Sequence, residues 1–335
     1  MKQYSRIFKT VFFVSGTALL IYTFSSIDIV YLKTLFSQLQ FKLPAVLLMY
    51  PIFAAADVAG WQILFAPHIR RKIRFSQLYL IRMAGDSINF LTPFADVGGE
   101  YLKIRFCAGL FGISRRTAFA NIFIERTALF LSEILFWTVG LAPLFLYLPS
   151  SGHFKSVLLI TAASFSLLIA GLILLQRKGL FSFVMRQAKR FNSDSNLINR
   201  LHETSQDVDS EIRDFYQSQD FRWILSLLFH LLGWISGGVE MFVMMKLFGL
   251  DTSLHNAIIL ESLLQLIRTA SFMIPGNIGA QEGGLALASY ALGFDASVGV
   301  ALSFIKRFRQ LIFVAAGFLC IRFLDLQCER KAKSA

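Results

Sequence analysis

Two stretches of this 335-residue chain, about 182 residues apart, carry the same spaced set of residues inside strongly apolar sequence. The first runs Asp57, Pro93, Gly98, Glu100, Gly112, Arg126, and the second Glu240, Pro275, Gly279, Glu282, Gly293, Arg307. Pro and Glu are seven residues apart in both copies, and Pro and Arg are 33 apart in one and 32 in the other. The acid ahead of each Pro lies 36 and 35 residues upstream, and seven residues after each acid comes Leu-Phe. A charged side chain at membrane depth costs roughly 2.5–3.5 kcal/mol on insertion scales, so such groups are seldom kept without a use. A duplicated unit with charges at matching places points to a repeat-built transporter whose site lies between the copies.

The rest of the composition narrows the class. The chain is 55% hydrophobic and 16% charged, with mean hydropathy +0.58, values of a polytopic helical membrane protein rather than a soluble enzyme. Its formal net charge of +12 would suggest nucleic acid in a soluble domain, but here the bases sit in loops between apolar runs. That pattern sets orientation by the positive-inside rule, and no nucleic-acid partner is expected. Cys107, Cys320 and Cys328 have no disulfide or metal-ligand spacing. The five histidines are isolated and no phosphate-binding loop occurs, so neither metal nor cofactor is expected.

Six segments reach the roughly 20 apolar residues a crossing needs: 7–24, 43–65, 118–147, 156–175, 222–248 and 296–320. The first, with Lys2, Arg6 and Lys9 ahead of it and no small-residue cleavage site, reads as a retained signal-anchor helix. Two further regions, 76–111 and 255–293, are apolar but broken at Pro93-Phe94-Ala95-Asp96-Val97-Gly98-Gly99 and Pro275-Gly276-Asn277-Ile278-Gly279. Each reads as a re-entrant hairpin of two half-helices, tolerated only where protein or a wet cavity covers the exposed backbone. The fold expected is an all-α polytopic membrane protein with about six full transmembrane helices and two hairpins, eight spans if hairpins count. Repeat 1 covers 43–147 and repeat 2 covers 222–320, joined by a polar 176–221 loop. In that loop Leu180–Phe191, with Arg186, Lys189 and Arg190, reads either as a membrane-surface helix or as a solvated connector.

Loop charge places Arg70, Arg71, Lys72, Arg74, Arg115, Arg116, the 176–221 cations and the C-terminal tail on one side, with both termini cytoplasmic. Three crossings then separate the helices of Asp57 and Glu240, so the two copies run in opposite directions.

The candidate site residues follow. Glu100 and Glu282 open the second half-helices and could cap free N–H groups there. Asp57 and Glu240 lie deeper, as proton-coupling acids or as partners of a neighbouring Arg. Lys306, Arg307 and Arg309 stand near mid-membrane and cannot all reach one surface. They face an anion such as a lipid phosphate, or an internal network with the acids. Arg126, Arg268 and Gln281 complete the expected substrate-binding set, with Arg82, Asp86 and Gln265 nearby on the hairpins' first halves; no catalytic residue is expected.

At these residues the chain resembles the transmembrane, flippase-like part of bacterial lysylphosphatidylglycerol synthases and its stand-alone relatives. The carrying segments are Leu91-Thr92-Pro93, Gly98-Gly99-Glu100, Pro275-Gly276, Gln281-Glu282-Gly283-Gly284 and Lys306-Arg307. A closer likeness, through His230, Trp234, Glu240, Glu261-Ser262, Gln265, Arg268 and Arg309, is to the hopanoid-biosynthesis-associated branch. The resemblance implies transfer of a polar-headed lipid, anionic or of isoprenoid or hopanoid type, across or out of the bacterial inner membrane. It implies a membrane lipid as substrate and lipid-biosynthesis enzymes as candidate partners. The synthase reaction belongs to a separate soluble domain of those enzymes and is not expected here. A membrane-embedded headgroup transferase and an accessory subunit of a lipid-synthesis complex are the alternatives.

Overall fold

The computed structural model describes residues 29–39, 42–91, 98–143, 153–191, 196–218, 220–272 and 274–334, which are almost wholly helical and include no strand. In chain order the helices are α1 (Ile29–Leu39), α2 (Leu43–Leu47), α3 (Met49–Leu64), α4 (Pro67–Arg70), α5 (Phe75–Leu91), α6 (Glu100–Phe111) and α7 (Arg115–Leu141). There follow α8 (His153–Lys178), α9 (Leu180–Phe191), α10 (Asn196–Ser218), α11 (Asp220–Leu247), α12 (Leu254–Ala270), α13 (Ala280–Ala291) and α14 (Ala296–Ser334).

Among the described residues, three helices are long and apolar enough to cross a membrane: Pro44–Leu64, Phe221–Leu247 and Ala296–Lys333. A fourth crossing arises if Ser166–Lys178 and Leu180–Gln187, bent by 85° at their junction, count as one. The expected span 7–24 lies outside the described residues. The expected span 118–147 falls on α7, whose 27 residues give ample length at 1.5 Å per residue. Glu125, Arg126 and Glu133 interrupt its apolar run, and Glu125 and Glu133 are buried within the bundle. The 176–221 connection is helical through most of its length. In α10, Val208, Ile212 and Phe215, at i, i+4 and i+7, pack with Leu64, Ala120 and Ile124 of α3 and α7.

Both broken regions form two helices of matching length. α5 and α12 have 17 residues each, and α6 and α13 have 12. At about 1.5 Å per residue these are roughly 26 and 18 Å long, short of the roughly 30 Å hydrocarbon core. In each region the two halves pack on one another. The break at 92–97 in the first lies outside the described residues. The second is a 3-10 turn, Pro275–Asn277.

Across the bundle, α3 packs against α11 with opposed direction. Arg222 donates to the Phe65 carbonyl at one end (2.8 Å), His230 meets Asp57 in the middle (2.9 Å), and Phe53 meets Trp234 further on (ring centroids 5.6 Å). Each repeat's last helix also lies on the other repeat's hairpin: α14 on α5, and α7 on α12. In both crossings a glycine meets a serine, Gly317 against Ser87 and Gly140 against Ser262. A Cβ on Gly317 would overlap the Ser87 hydroxyl and the Met83 carbonyl, both held in the α5 core.

Gly317→Ala should therefore lower the thermal unfolding temperature of the detergent-purified protein, with an overpacking cost of about 1–3 kcal/mol. Gly171→Ala, where an added Cβ meets nothing within 4 Å, should leave it unchanged or raise it.

Candidate functional site

The site is assembled from charges that the helices carry into the bundle at matching positions. Arg126 is the twelfth residue of α7 and Arg307 the twelfth of α14. Arg126 pairs with Glu100, the first residue of α6, and Arg307 pairs with Glu282 in the first turn of α13. Each pair ties the start of a second half-helix to the long helix that follows it.

At the second break the tie reaches the backbone as well. Arg307 Nη1 donates to the Gly276 carbonyl (2.9 Å) and Nη2 to the Asn277 carbonyl (3.1 Å). Gly276, Asn277 and Gly279 all have positive φ, so the chain unwinds there and leaves carbonyls that no helix satisfies. The Glu282 carboxylate accepts from the Gly279 N–H (2.8 Å) and from the Ser303 hydroxyl (3.1 Å). The first break divides the same work differently. Asn89 accepts from the Gly99 N–H (2.5 Å) and donates to Glu100 (3.4 Å), whose carboxylate also pairs with Arg126 and Lys103 (3.3 Å).

A second tier of charges is exchanged between the copies. Arg82 is the eighth residue of α5 and Glu261 the eighth of α12; Glu125 is the eleventh of α7 and Lys306 the eleventh of α14. In the first copy Asp57 binds Arg82 (2.6 Å) and His230 (2.9 Å), and Arg82 also holds Asp86 (3.1 Å). In the second, Lys306 bridges Glu240 (3.2 Å) and Glu261 (2.8 Å), and Arg309 makes a further pair with Glu240. The cation thus sits on the hairpin in one copy and on the long helix in the other.

Between these clusters lies a cavity of about 580 Å³, walled by both repeats. Its lining follows helical stripes: Arg82, Asp86 and Asn89 on α5, Arg126, Phe130 and Glu133 on α7, Glu261, Gln265 and Arg268 on α12. Tyr50, Phe53 and Trp234 supply aromatic wall, with the Arg309 guanidinium 5.0 Å from the Tyr50 ring. Phe130 and Phe272 line the cavity and keep 37% and 46% of their surface exposed.

Of the residues singled out from sequence, Asp57, Arg126, Glu240, Arg268 and Arg309 line this cavity. Glu100, Gln281, Glu282, Lys306 and Arg307 stand behind the wall, Gln281 donating to Ser303 (3.0 Å) and the others in the ion pairs above. The lining has five acids (Asp57, Asp86, Glu133, Glu240, Glu261) against four arginines (Arg82, Arg126, Arg268, Arg309). It is therefore charge-balanced rather than basic. Sequence reasoning gave no place to Tyr50 or Glu133. Glu133 lies seven residues after Arg126, on the same face of α7, and that spacing was the available signal.

Removing one partner of a buried pair strands the other charge, at a cost of about 3–5 kcal/mol. Arg307→Ala should therefore lower the unfolding temperature markedly, and the double variant Arg307→Ala/Glu282→Gln should recover part of the loss. Equal stability of single and double variants in a thermal unfolding series would contradict the pairing.

No curated protein and no solved structure is detectably similar to this chain. The family model of the lysylphosphatidylglycerol synthase TM region matches residues 7–317, nearly the whole length. With spanning helices around a shared polar cavity, the chain is a multi-pass membrane protein that belongs to the family of the lysylphosphatidylglycerol synthase TM region, one related to lipid modification or transport.

Proposed function

We propose that the protein moves a polar-headed lipid between the leaflets of the bacterial inner membrane, or out of it, as a carrier and not as an enzyme. The observation that carries this reading is the charge-balanced cavity between the two halves of the chain, with the partly exposed Phe130 and Phe272 on its wall as the proposed lateral entrance. A headgroup can enter such a cavity while its tails stay in the bilayer.

The mechanism is alternating access by an inverted repeat. The antiparallel packing of α3 on α11, the equal half-helix lengths and the reciprocal crossings of α14 on α5 and α7 on α12 support it. The hairpins are re-entrant on this reading, the first entered from the cytoplasm and the second from outside, with both termini cytoplasmic. Arg309 and Arg268 contact the headgroup. Arg309 is held by Glu240, and a lipid phosphate replaces that carboxylate without leaving either charge stranded, because Lys306 stays on Glu240. Asp57 and Glu240 are the acids available for proton coupling. The absence of chemistry is supported by the ion pairs: Asp57, Asp86, Glu240 and Glu261 each have a cation already in place.

The substrate is a membrane lipid, and lipid-biosynthesis enzymes are the partners proposed. An anionic phospholipid fits the exchange at Arg309; the likeness to the hopanoid-associated branch makes an isoprenoid-derived lipid the second candidate.

In vesicles reconstituted with full-length protein and a fluorescent phospholipid, wild type should expose inner-leaflet label to an external quencher. Arg309→Gln should slow that exposure by about tenfold or more, the loss of one charge-assisted contact of about 1.5–3 kcal/mol, while Arg309→Lys retains most of it. Equal rates in all three, or in protein-free vesicles, would overturn the assignment.

A further inference from the structure

Away from the central cavity, a second concavity of about 400 Å³ lies in the elbow where α8 turns into α9 and both meet α10. The turn is at Gly179, whose φ of +93° lets the chain reverse direction within one residue. It sets α9 at 85° to the end of α8. If α8 crosses the bilayer, a helix bent from it by 85° lies along the membrane surface.

The exposed side chains of the two helices agree with that placement. Leu174 and Leu175 near the end of α8, and Phe183 and Val184 on α9, are 59%, 43%, 47% and 48% exposed. They leave apolar surface exposed on both helices of the elbow. Phe181 points the other way, against Phe119 and Phe123 of α7, and fixes α9 to the bundle. α9 therefore has one face on protein and a second apolar face directed at lipid.

The inside of the elbow is cationic. Lys178, Arg186 and Arg213 line it, together with Ser182, Ser210 and Asp209. Asp209 uses its carboxylate to cap α9, accepting from the N–H groups of Phe181 (3.0 Å) and Ser182 (2.7 Å). Lys178, Arg186 and Arg213 have no ion-pair partner among the described residues. Three cations against one acid that is already hydrogen-bonded leave the concavity with a net positive charge of two. Ser182 and Arg186 on α9 are four residues apart, as are Asp209 and Arg213 on α10 with Ser210 beside them, and both sets line the same concavity.

From this juxtaposition we infer that the elbow binds the phosphodiester of an anionic membrane phospholipid, at a site separate from the central cavity. Lys178, Arg186 and Arg213 hold the phosphate, and the acyl chains lie along Leu174, Leu175, Phe183 and Val184. The site anchors the elbow to the leaflet it faces and makes its position sensitive to anionic lipid content. It stands whether or not the central cavity carries lipid.

The test is photocrosslinking of the full chain in phosphatidylcholine vesicles doped with phosphatidylglycerol bearing a diazirine near the head of its acyl chain, mapped by peptide mass spectrometry. Wild-type crosslinks should fall within residues 174–186 and be displaced by unlabelled phosphatidylglycerol but not by phosphatidylcholine or excess inorganic phosphate. The triple variant Lys178→Gln/Arg186→Gln/Arg213→Gln should lose about tenfold or more of that yield. Neutralising the exposed cations Arg70, Arg71 and Lys72 to glutamine should leave it unchanged. Absence of wild-type crosslinks from 174–186 would overturn the proposal, as would full yield in the triple variant. Equal competition by phosphatidylcholine would reduce the elbow to ordinary lipid contact, and displacement by inorganic phosphate would make it a free-anion site; both contradict the inference. Should the triple variant fail to fold, the wild-type map and its competition still decide. Crosslinks confined to residues lining the central cavity would support lipid carriage while refuting the elbow.

Discussion

A buried carboxylate is tolerable in a membrane bundle only while its cation is in place, and two such pairs hold this structure at its weakest points. Glu100–Arg126 and Glu282–Arg307 sit where the chain stops being helical and must turn back. Without them the half-helices would have free ends in a medium with no water to satisfy them. Arg307 shows the dual requirement most plainly, since one guanidinium serves a carboxylate and two unwound carbonyls together. The half-helices can then be short, and short hairpins leave space between them for a cavity.

The cavity is polar for a related reason. Its walls come from both halves of the chain, and the second-tier cation stands on α5 in the first half and on α14 in the second. Arg82 on α5 answers Asp57, whereas Glu261 on α12 joins Glu240 through Lys306. Each cluster is close to neutral by itself, which suits the proposed carriage of a headgroup that enters and leaves. A lining of five acids and four arginines also means that a phosphate must displace a carboxylate rather than fill an open cationic hole. Such exchange suits a substrate that has to leave again.

Much of this organisation was legible from spacing. The broken regions, the matching of Glu100 with Glu282 and of Arg126 with Arg307, and the short helix Leu180–Phe191 all followed from residue order and local chemistry. Spacing along one chain reports which positions are equivalent, but not which side chains meet across the bundle. That is why Arg82 was placed near the site without Asp57 as its partner, and why His230 counted among isolated histidines although it binds Asp57. It is also why the expected cleft contained Glu100, Glu282 and Arg307. These close the breaks from behind: α6 and α13 give no residue to the cavity wall, and α14 gives Arg309 and Gln310, just past Arg307. The helical content of 196–218 was masked by its polarity, because α10 buries only a narrow stripe against α3 and α7.

The account depends most on the two copies facing opposite ways across the membrane. Impermeant thiol labelling of intact cells tests this directly, with the native Cys107, Cys320 and Cys328 first replaced by alanine. Arg115 and Asp295 are both exposed and follow the ends of α6 and α13 at matching places. Cysteine at Asp295 should react from outside, and cysteine at Arg115 only after the membrane is permeabilised. Reaction of both positions from the same side would contradict the opposed arrangement and the carrier built on it.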